Sequence, residues 1–135
     1  MYLIVVGASA EGQRFIEIAL EQKHEVALIE KDEEHAREVL KENDIRAFVG
    51  SIGSEDILHE AEVARADAVV ATTDDDAQNL MAMVLAKEHK VKRCISLINL
   101  PSHSDIFEKL GVEVISDPAG IVARQLYQFI EPKTS

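Results

Sequence analysis

A chain of 135 residues, 47% hydrophobic and 29% charged, is sized for one compact domain, and that balance fits neither disorder nor a fibrous class. The formal net charge of -11 excludes a surface built to neutralise nucleic-acid phosphates or anionic lipid. A single cysteine, Cys94, excludes an internal disulfide and a Cys-rich metal site, and it fits a reducing compartment.

The apolar start, Tyr2 to Val6, is too short and lacks the basic flank of a signal peptide, and no window approaches ~18 apolar residues, so the chain reads as cytoplasmic. That first segment is β-branched and ends at Gly7, as a central strand does. Helical spacing follows over Gln13 to Glu21, with Phe15, Ile16, Ile18, Ala19 and Leu20 apolar. Further strands are predicted at Glu25 to Ile29, Arg46 to Val49, Ala68 to Ala71, Arg93 to Ile98 and Val112 to Ile115. A second clear helix covers Asp75 to Lys87, and a last one covers Ala119 to Ile130 before Glu131 and Pro132 stop it. Six strands alternating with helices predict a Rossmann-type, doubly wound α/β domain with a parallel sheet over residues 1–131, and a short tail, 132–135. The last helix carries Ile121, Val122, Leu126, Tyr127, Phe129 and Ile130, enough for either core packing or a dimer contact.

Between the first strand and first helix lies Gly7-Ala8-Ser9-Ala10-Glu11-Gly12, which resembles G-x-G-x-x-G with its second glycine replaced. In that motif one glycine makes the tight turn, one admits the pyrophosphate to the backbone, and one lets helix and strand pack closely. The helix N-terminus then attracts phosphate. Glu30 ends the second strand 18 positions beyond Gly12, where an acid binds ribose hydroxyls and disfavours a 2′-phosphate. Lys31 beside it weakens that exclusion, but NAD-like or plain adenosine ligands remain preferred to NADP. Ser9 places a side chain where phosphate approaches, and it either obstructs the ligand or donates a hydroxyl bond to it. Glu11 either repels phosphate or complements the helix terminus.

With these features the chain resembles the KTN family, the TrkA-type N-terminal domain also called the RCK domain. The resemblance runs through Leu28-Ile29-Glu30-Lys31-Asp32 and Phe48-Val49-Gly50-Ser51. It is most specific over Ala66-Asp67-Ala68 leading into Thr72-Thr73-Asp74-Asp75-Asp76-Ala77-Gln78-Asn79, and over Leu110-Gly111-Val112-Glu113-Val114-Ile115-Ser116-Asp117-Pro118. It implies a regulatory domain that dimerises or forms a higher homo-oligomer, binds NAD(H), AMP, ADP or ATP, and passes a conformational change to an integral membrane potassium channel or transporter. The chain would then be peripheral to the membrane through that partner. By position, Gly7, Ser9, Ala10 and Gly12 would surround the phosphates, Glu30 would hold the ribose, and Ser51 and Ile52 would flank the adenine, with Ala8, Glu11 and Lys31 completing the expected binding residues. Thr72 and Thr73 would line the crevice over ribose and phosphates. Ala10 stands where some ATP-binding members carry an arginine, which turns the expectation away from ATP. A C-terminal lobe is common in the family, so an end soon after Ile130 reads as truncation or as a stand-alone subunit, whereas Met1 beside the first strand reads as a natural start.

Other constellations carry less. Asp74-Asp75-Asp76 reads as helix capping before it reads as a cation site. The five histidines lack metal-ligand spacing and read as surface residues, and Cys94 reads as a small buried hydrophobe. Tyr127 is followed four places later by Glu131, not the lysine of a Tyr-x-x-x-Lys pair, so catalysis is not expected. The alternative is a nucleotide-dependent oxidoreductase or a fragment of one.

Overall fold

The structure is a computed structural model that describes residues 1–54 and 56–132; residues 133–135 of the expected tail lie outside that range. Its first strand, β1 (Tyr2–Val6), is buried along its whole length. The two-residue period divides its side chains, with Tyr2, Ile4 and Val6 in one core and Leu3 and Val5 in the other. Helix α1 (Ala10–Glu21) closes the second core with Ile16 and Ala19, and β2 (Glu25–Glu30) alternates between the two in the same way. Helix α2 (Glu33–Glu42), joined to the same side through Val39, leads to β3 (Arg46–Val49). The short α3 (Ile57–Glu60), β4 (Ala68–Ala71), α4 (Asp76–Glu88), β5 (Arg93–Ile98) and α5 (Ser104–Leu110) follow, and Ile57, Met83 and Phe107 fill the first core. The described chain closes with β6 (Glu113–Ser116) and α6 (Pro118–Gln128).

All five strand pairings are parallel and the order is β3-β2-β1-β4-β5-β6. The doubly wound, six-stranded sheet expected from the alternation is therefore present. Its winding reverses between β1 and β4, and the carboxyl ends of those strands open a crevice that no crossover helix covers.

Boundaries differ from the expected ones for local reasons. Helix α1 starts three residues before Gln13 because Ser9 caps it, its hydroxyl accepting the Gly12 N–H at 3.1 Å. Strand β2 runs through Glu30, which pairs with Val49 of β3. Strand β6 begins at Glu113 because Gly111, with φ of 75°, turns the chain out of α5. Helix α6 opens on Pro118 with Asp117 as its cap and gives way at Phe129, so the last two expected residues lie beyond it.

Core packing for α6 is not what the structure shows. None of its residues is buried, Val122 is 58% exposed and Leu126 64%. At the amino ends of the strands, Arg65 stacks 3.8 Å over the Tyr2 ring and pairs with Glu25 and Glu62, while Arg46 reaches Glu62 at 3.0 Å. This network closes the amino ends of β1 to β4, away from the crevice. Among the described residues no helix is long and apolar enough to cross a membrane.

Candidate functional site

The crevice at the winding reversal is a cleft of ≈ 270 Å³. One wall is the β1–α1 turn, with Val6, Gly7, Ala8 and Ser9. Another is the end of β2 with the start of α2, giving Ile29, Glu30, Lys31, Asp32 and His35. Gly50 and Ile52 come from the loop after β3, and Thr73, Asp74 and Gln78 from the β4–α4 junction.

Gly7 holds φ of 108°, a conformation that a side chain strains, and a Cβ there would press on the Thr73 backbone nitrogen at 3.0 Å. Its N–H donates to the Ile29 carbonyl at 2.9 Å, which ties the turn to β2. Gly12 is needed for packing: a Cβ would collide with the Gly7 carbonyl and with Thr72 Oγ1. Thr72 is buried, and its hydroxyl faces the Gly7 carbonyl at 3.0 Å and the Val6 carbonyl at 3.3 Å. The third motif glycine and the first threonine thus sit behind the cleft and hold its wall.

Glu30 is the central acid. It is buried, and its two oxygens accept from different backbone amides, Oε1 from Ala8 and Oε2 from Asp32, each at 2.8 Å. A carboxylate has about four acceptor positions, so two backbone bonds leave roughly two for the hydroxyls of a ribose. The residue both locks the glycine turn against α2 and keeps acceptor capacity toward the cleft.

Ser9 is engaged within the protein. Its hydroxyl donates to the Thr72 carbonyl at 2.6 Å while accepting the Gly12 N–H, so its proton is used within the protein. The Gln13 N–H goes to the Ser9 carbonyl at 2.8 Å and the Ala8 N–H goes to Glu30. Among the described residues the amides of Ser9, Ala10 and Glu11 have no such partner, and these are the donors a phosphate at α1 would meet.

The three consecutive aspartates do three different things. Asp75 caps α4, accepting the Ala77 N–H at 2.9 Å. Asp76 is buried and anchors the segment after β5: Oδ1 accepts from the Asn99 N–H (2.7 Å) and Asn99 Nδ2 (2.9 Å), and Oδ2 faces the Leu100 N–H (3.0 Å) and His103 Nδ1 (2.7 Å). Burial acts to raise the Asp76 carboxyl, but the amides of Asn99 and Leu100, with His103 and the Asn99 side chain, outweigh it and hold the group below its ordinary value. Asp74 is exposed and stands on the cleft wall. Next to it Thr73 is fixed by Asn79, whose Oδ1 accepts the Thr73 N–H at 3.0 Å and whose Nδ2 donates to the Thr73 carbonyl at 3.0 Å.

Of the residues expected at the site, the cleft brings together Gly7, Ala8, Ser9, Glu30, Lys31, Ile52 and Thr73. Ala10, Glu11, Gly12, Ser51 and Thr72 lie beside or behind it, Ser51 because its hydroxyl turns toward the Gly53 N–H. Asp32, His35, Asp74 and Gln78 were not expected there. Asp32 lies two residues past the carboxyl end of β2 and Asp74 three past that of β4, while His35 and Gln78 lie in the first turn of the next helix, the places that face a crevice of this topology. His103 was expected at the surface but is half-buried against Asp76, and Cys94 is buried, with its thiol pushed up by that burial.

A doubly wound sheet with a glycine turn and a buried strand-end acid at its switch point defines a Rossmann-like domain. Within that class, residues 3–118 match the TrkA-N domain family, and the chain belongs to it. A Trk system potassium uptake protein TrkA homolog of Methanothermobacter thermautotrophicus is 28% identical over 136 residues, a match that takes in all of this chain and 63% of that protein. The chain therefore spans less than two thirds of that relative's length. Among solved structures, the TrkA-N domain of the inner membrane protein ybaL from Escherichia coli superposes with a TM-score of 0.82 at 19% identity, covering 96% of both chains. The Kef CTD of Shewanella denitrificans in AMP-bound form gives 0.78 at 17%, covering 98% of this chain and 84% of that one. The GsuK channel bound to NAD gives 0.75 at 16%, covering 84% of this chain and 21% of that one. At these identities the likeness shows the fold.

Proposed function

We propose that this chain is a nucleotide-sensing regulatory domain of a potassium transport system, and that the cleft between β1 and β4 holds the adenosine part of its ligand. The observation that carries the reading is Glu30, a buried carboxylate at the switch point with two acceptor positions left after its bonds to Ala8 and Asp32. The ribose hydroxyls take those positions. The Ser9, Ala10 and Glu11 amides receive phosphate, and adenine lies toward Ile52, with Ser51, Lys31 and His35 near its rim. Thr73, held by Asn79, forms the wall opposite, and Gly7, Ala8, Gly12 and Thr72 shape the turn.

NAD(H), AMP, ADP and ATP all contain this adenosine half, and the AMP and NAD named with two structures of the same fold support it. NADP is disfavoured, since its 2′-phosphate would meet the Glu30 carboxylate. The role is regulatory and not enzymatic, in line with the potassium-uptake relative. The partner is an integral membrane potassium channel or transporter subunit, with this chain as a cytoplasmic, peripheral homodimer or larger assembly. The uncovered apolar residues of α6 support such association. Ligand-dependent regulation then requires that the nucleotide bind the two states of the assembly with different affinity.

Calorimetric titration with adenosine, AMP, ADP, ATP, NAD+ and NADH tests the binding half. Saturable binding of at least one is expected, and binding of none refutes the proposal. Hydride-transfer assays with NAD+ test the alternative, and reproducible turnover would establish an enzyme instead.

A further inference from the structure

The carboxylates on the cleft wall bear on which nucleotide it prefers, a question that rests on the nucleotide reading above. The wall carries Glu30, Asp32 and Asp74 against one lysine, Lys31. Glu30 and Asp32 have other work: Glu30 bonds the Ala8 and Asp32 amides and keeps its remaining acceptor positions for the ribose, and Asp32 caps α2 by accepting from Glu34 and His35. Asp74 is different. It is exposed and makes no hydrogen bond to a described residue, while its neighbours Asp75 and Asp76 account for the capping and anchoring that a run of aspartates ordinarily serves.

Its place is the phosphate end. The Thr73 nitrogen lies 3.0 Å from where a Cβ on Gly7 would stand, and Asp74 is the next residue, about 3.8 Å of chain further on. Lys31 belongs to the other end, at the carboxyl end of β2. The donors at the phosphate end are the Ser9, Ala10 and Glu11 amides, because Ser9 takes the Gly12 N–H for itself. Three neutral amides serve one phosphate well, but each further phosphate adds negative charge, and among the described residues the phosphate end of the cleft wall has no arginine or lysine to meet it.

We infer that the cleft selects nucleotides of low phosphate charge, ranking AMP above ADP above ATP, and that Asp74 is the specificity-determining residue. NAD+, whose two phosphates are each esterified once and joined by an anhydride, with one charge each, falls with AMP and not with ATP. The effect is electrostatic repulsion across a few ångströms of partly solvated cleft, worth about tenfold in affinity between AMP and ATP. Being partly exposed, it weakens as salt rises.

The test is competitive titration of the full chain with adenosine, AMP, ADP, ATP and NAD+ in EDTA, so that no divalent cation masks phosphate charge, on the unmodified protein and on Asp74→Asn. AMP is expected to bind about tenfold more tightly than ATP, with Asp74→Asn raising ATP affinity more than AMP affinity and closing most of that gap. Equal or tighter ATP binding, or an unchanged ratio in Asp74→Asn, overturns the inference while binding of adenosine or AMP leaves the nucleotide site standing. Binding of none of the five overturns both.

Discussion

Asp76→Asn keeps the shape of the side chain but removes its charge and one acceptor. In the structure Oδ1 takes both Asn99 donors, and the amide oxygen of the variant side chain can do the same. The Oδ2 position becomes an NH2 group facing the Leu100 N–H, two donors with nothing between them. An unsatisfied buried donor costs about 1–3 kcal/mol, and weakening the charge-assisted bonds to Asn99 adds about 1 more, so a loss of about 2–4 kcal/mol is expected. With a urea slope of about 2 kcal/mol/M for a domain of this size, the unfolding midpoint should fall by ~1–2 M. The loss has a pH signature. The folded-state Asp76 carboxyl lies below its ordinary value, so the unfolded chain binds more protons in the titration range. Its stabilisation is complete above about pH 5 and is lost as pH falls through the lowered folded value. Urea unfolding of the parent and the Asp76→Asn variant from pH 7 to pH 3, both in a His103→Gln background so that the ring does not titrate, should show a gap that is constant near neutrality and closes in acid. No gap at pH 7, or one that persists unchanged to pH 3, would refute the anchoring role.

Gly12→Ala should lower stability by about 1–3 kcal/mol in the same denaturation assay, because its Cβ strikes the Gly7 carbonyl and cannot be relieved by a flexible side chain. Gly53→Ala, whose Cβ would meet only Ser51 Oγ among the described residues, at 3.9 Å, should stay within about 0.5 kcal/mol of the parent. Ser9→Gly gives up the α1 cap at a cost of a few tenths to ~1 kcal/mol and returns the Gly12 N–H to the cleft, so titration should show several-fold tighter NAD+ and ADP binding. Glu30→Gln should weaken NAD+ binding by about tenfold and narrow the preference over NADP, measured as a ratio of dissociation constants.

The strands were legible because the two-residue alternation and the apolar runs of β1, β2 and β4 have few other uses, and the glycine turn with Glu30 pointed to the carboxyl end of the sheet, where the cleft opens. Side-chain direction was not legible. Nothing in the string of residues says that Thr72 turns back onto the Gly7 carbonyl while Thr73 faces the cleft, or that Ser9 spends its hydroxyl on Thr72. The same limit hid the separate roles of Asp74, Asp75 and Asp76, which depend on where α4 begins to within one residue. Helix α6 carried enough apolar residues for a core or a contact surface, and periodicity cannot choose between them. His103 escaped because its partner Asp76 lies 27 positions away, a separation with no local signature.

The most direct test of a nucleotide cleft between β1 and β4 is an amide-resolved NMR titration of the 135-residue chain with AMP. The account predicts saturable shifts, described by one dissociation constant, at Ser9, Ala10, Glu11, Asp32, Ile52 and Thr73. A spectrum unmoved at millimolar AMP, or one whose shifts leave the glycine turn untouched, would contradict it.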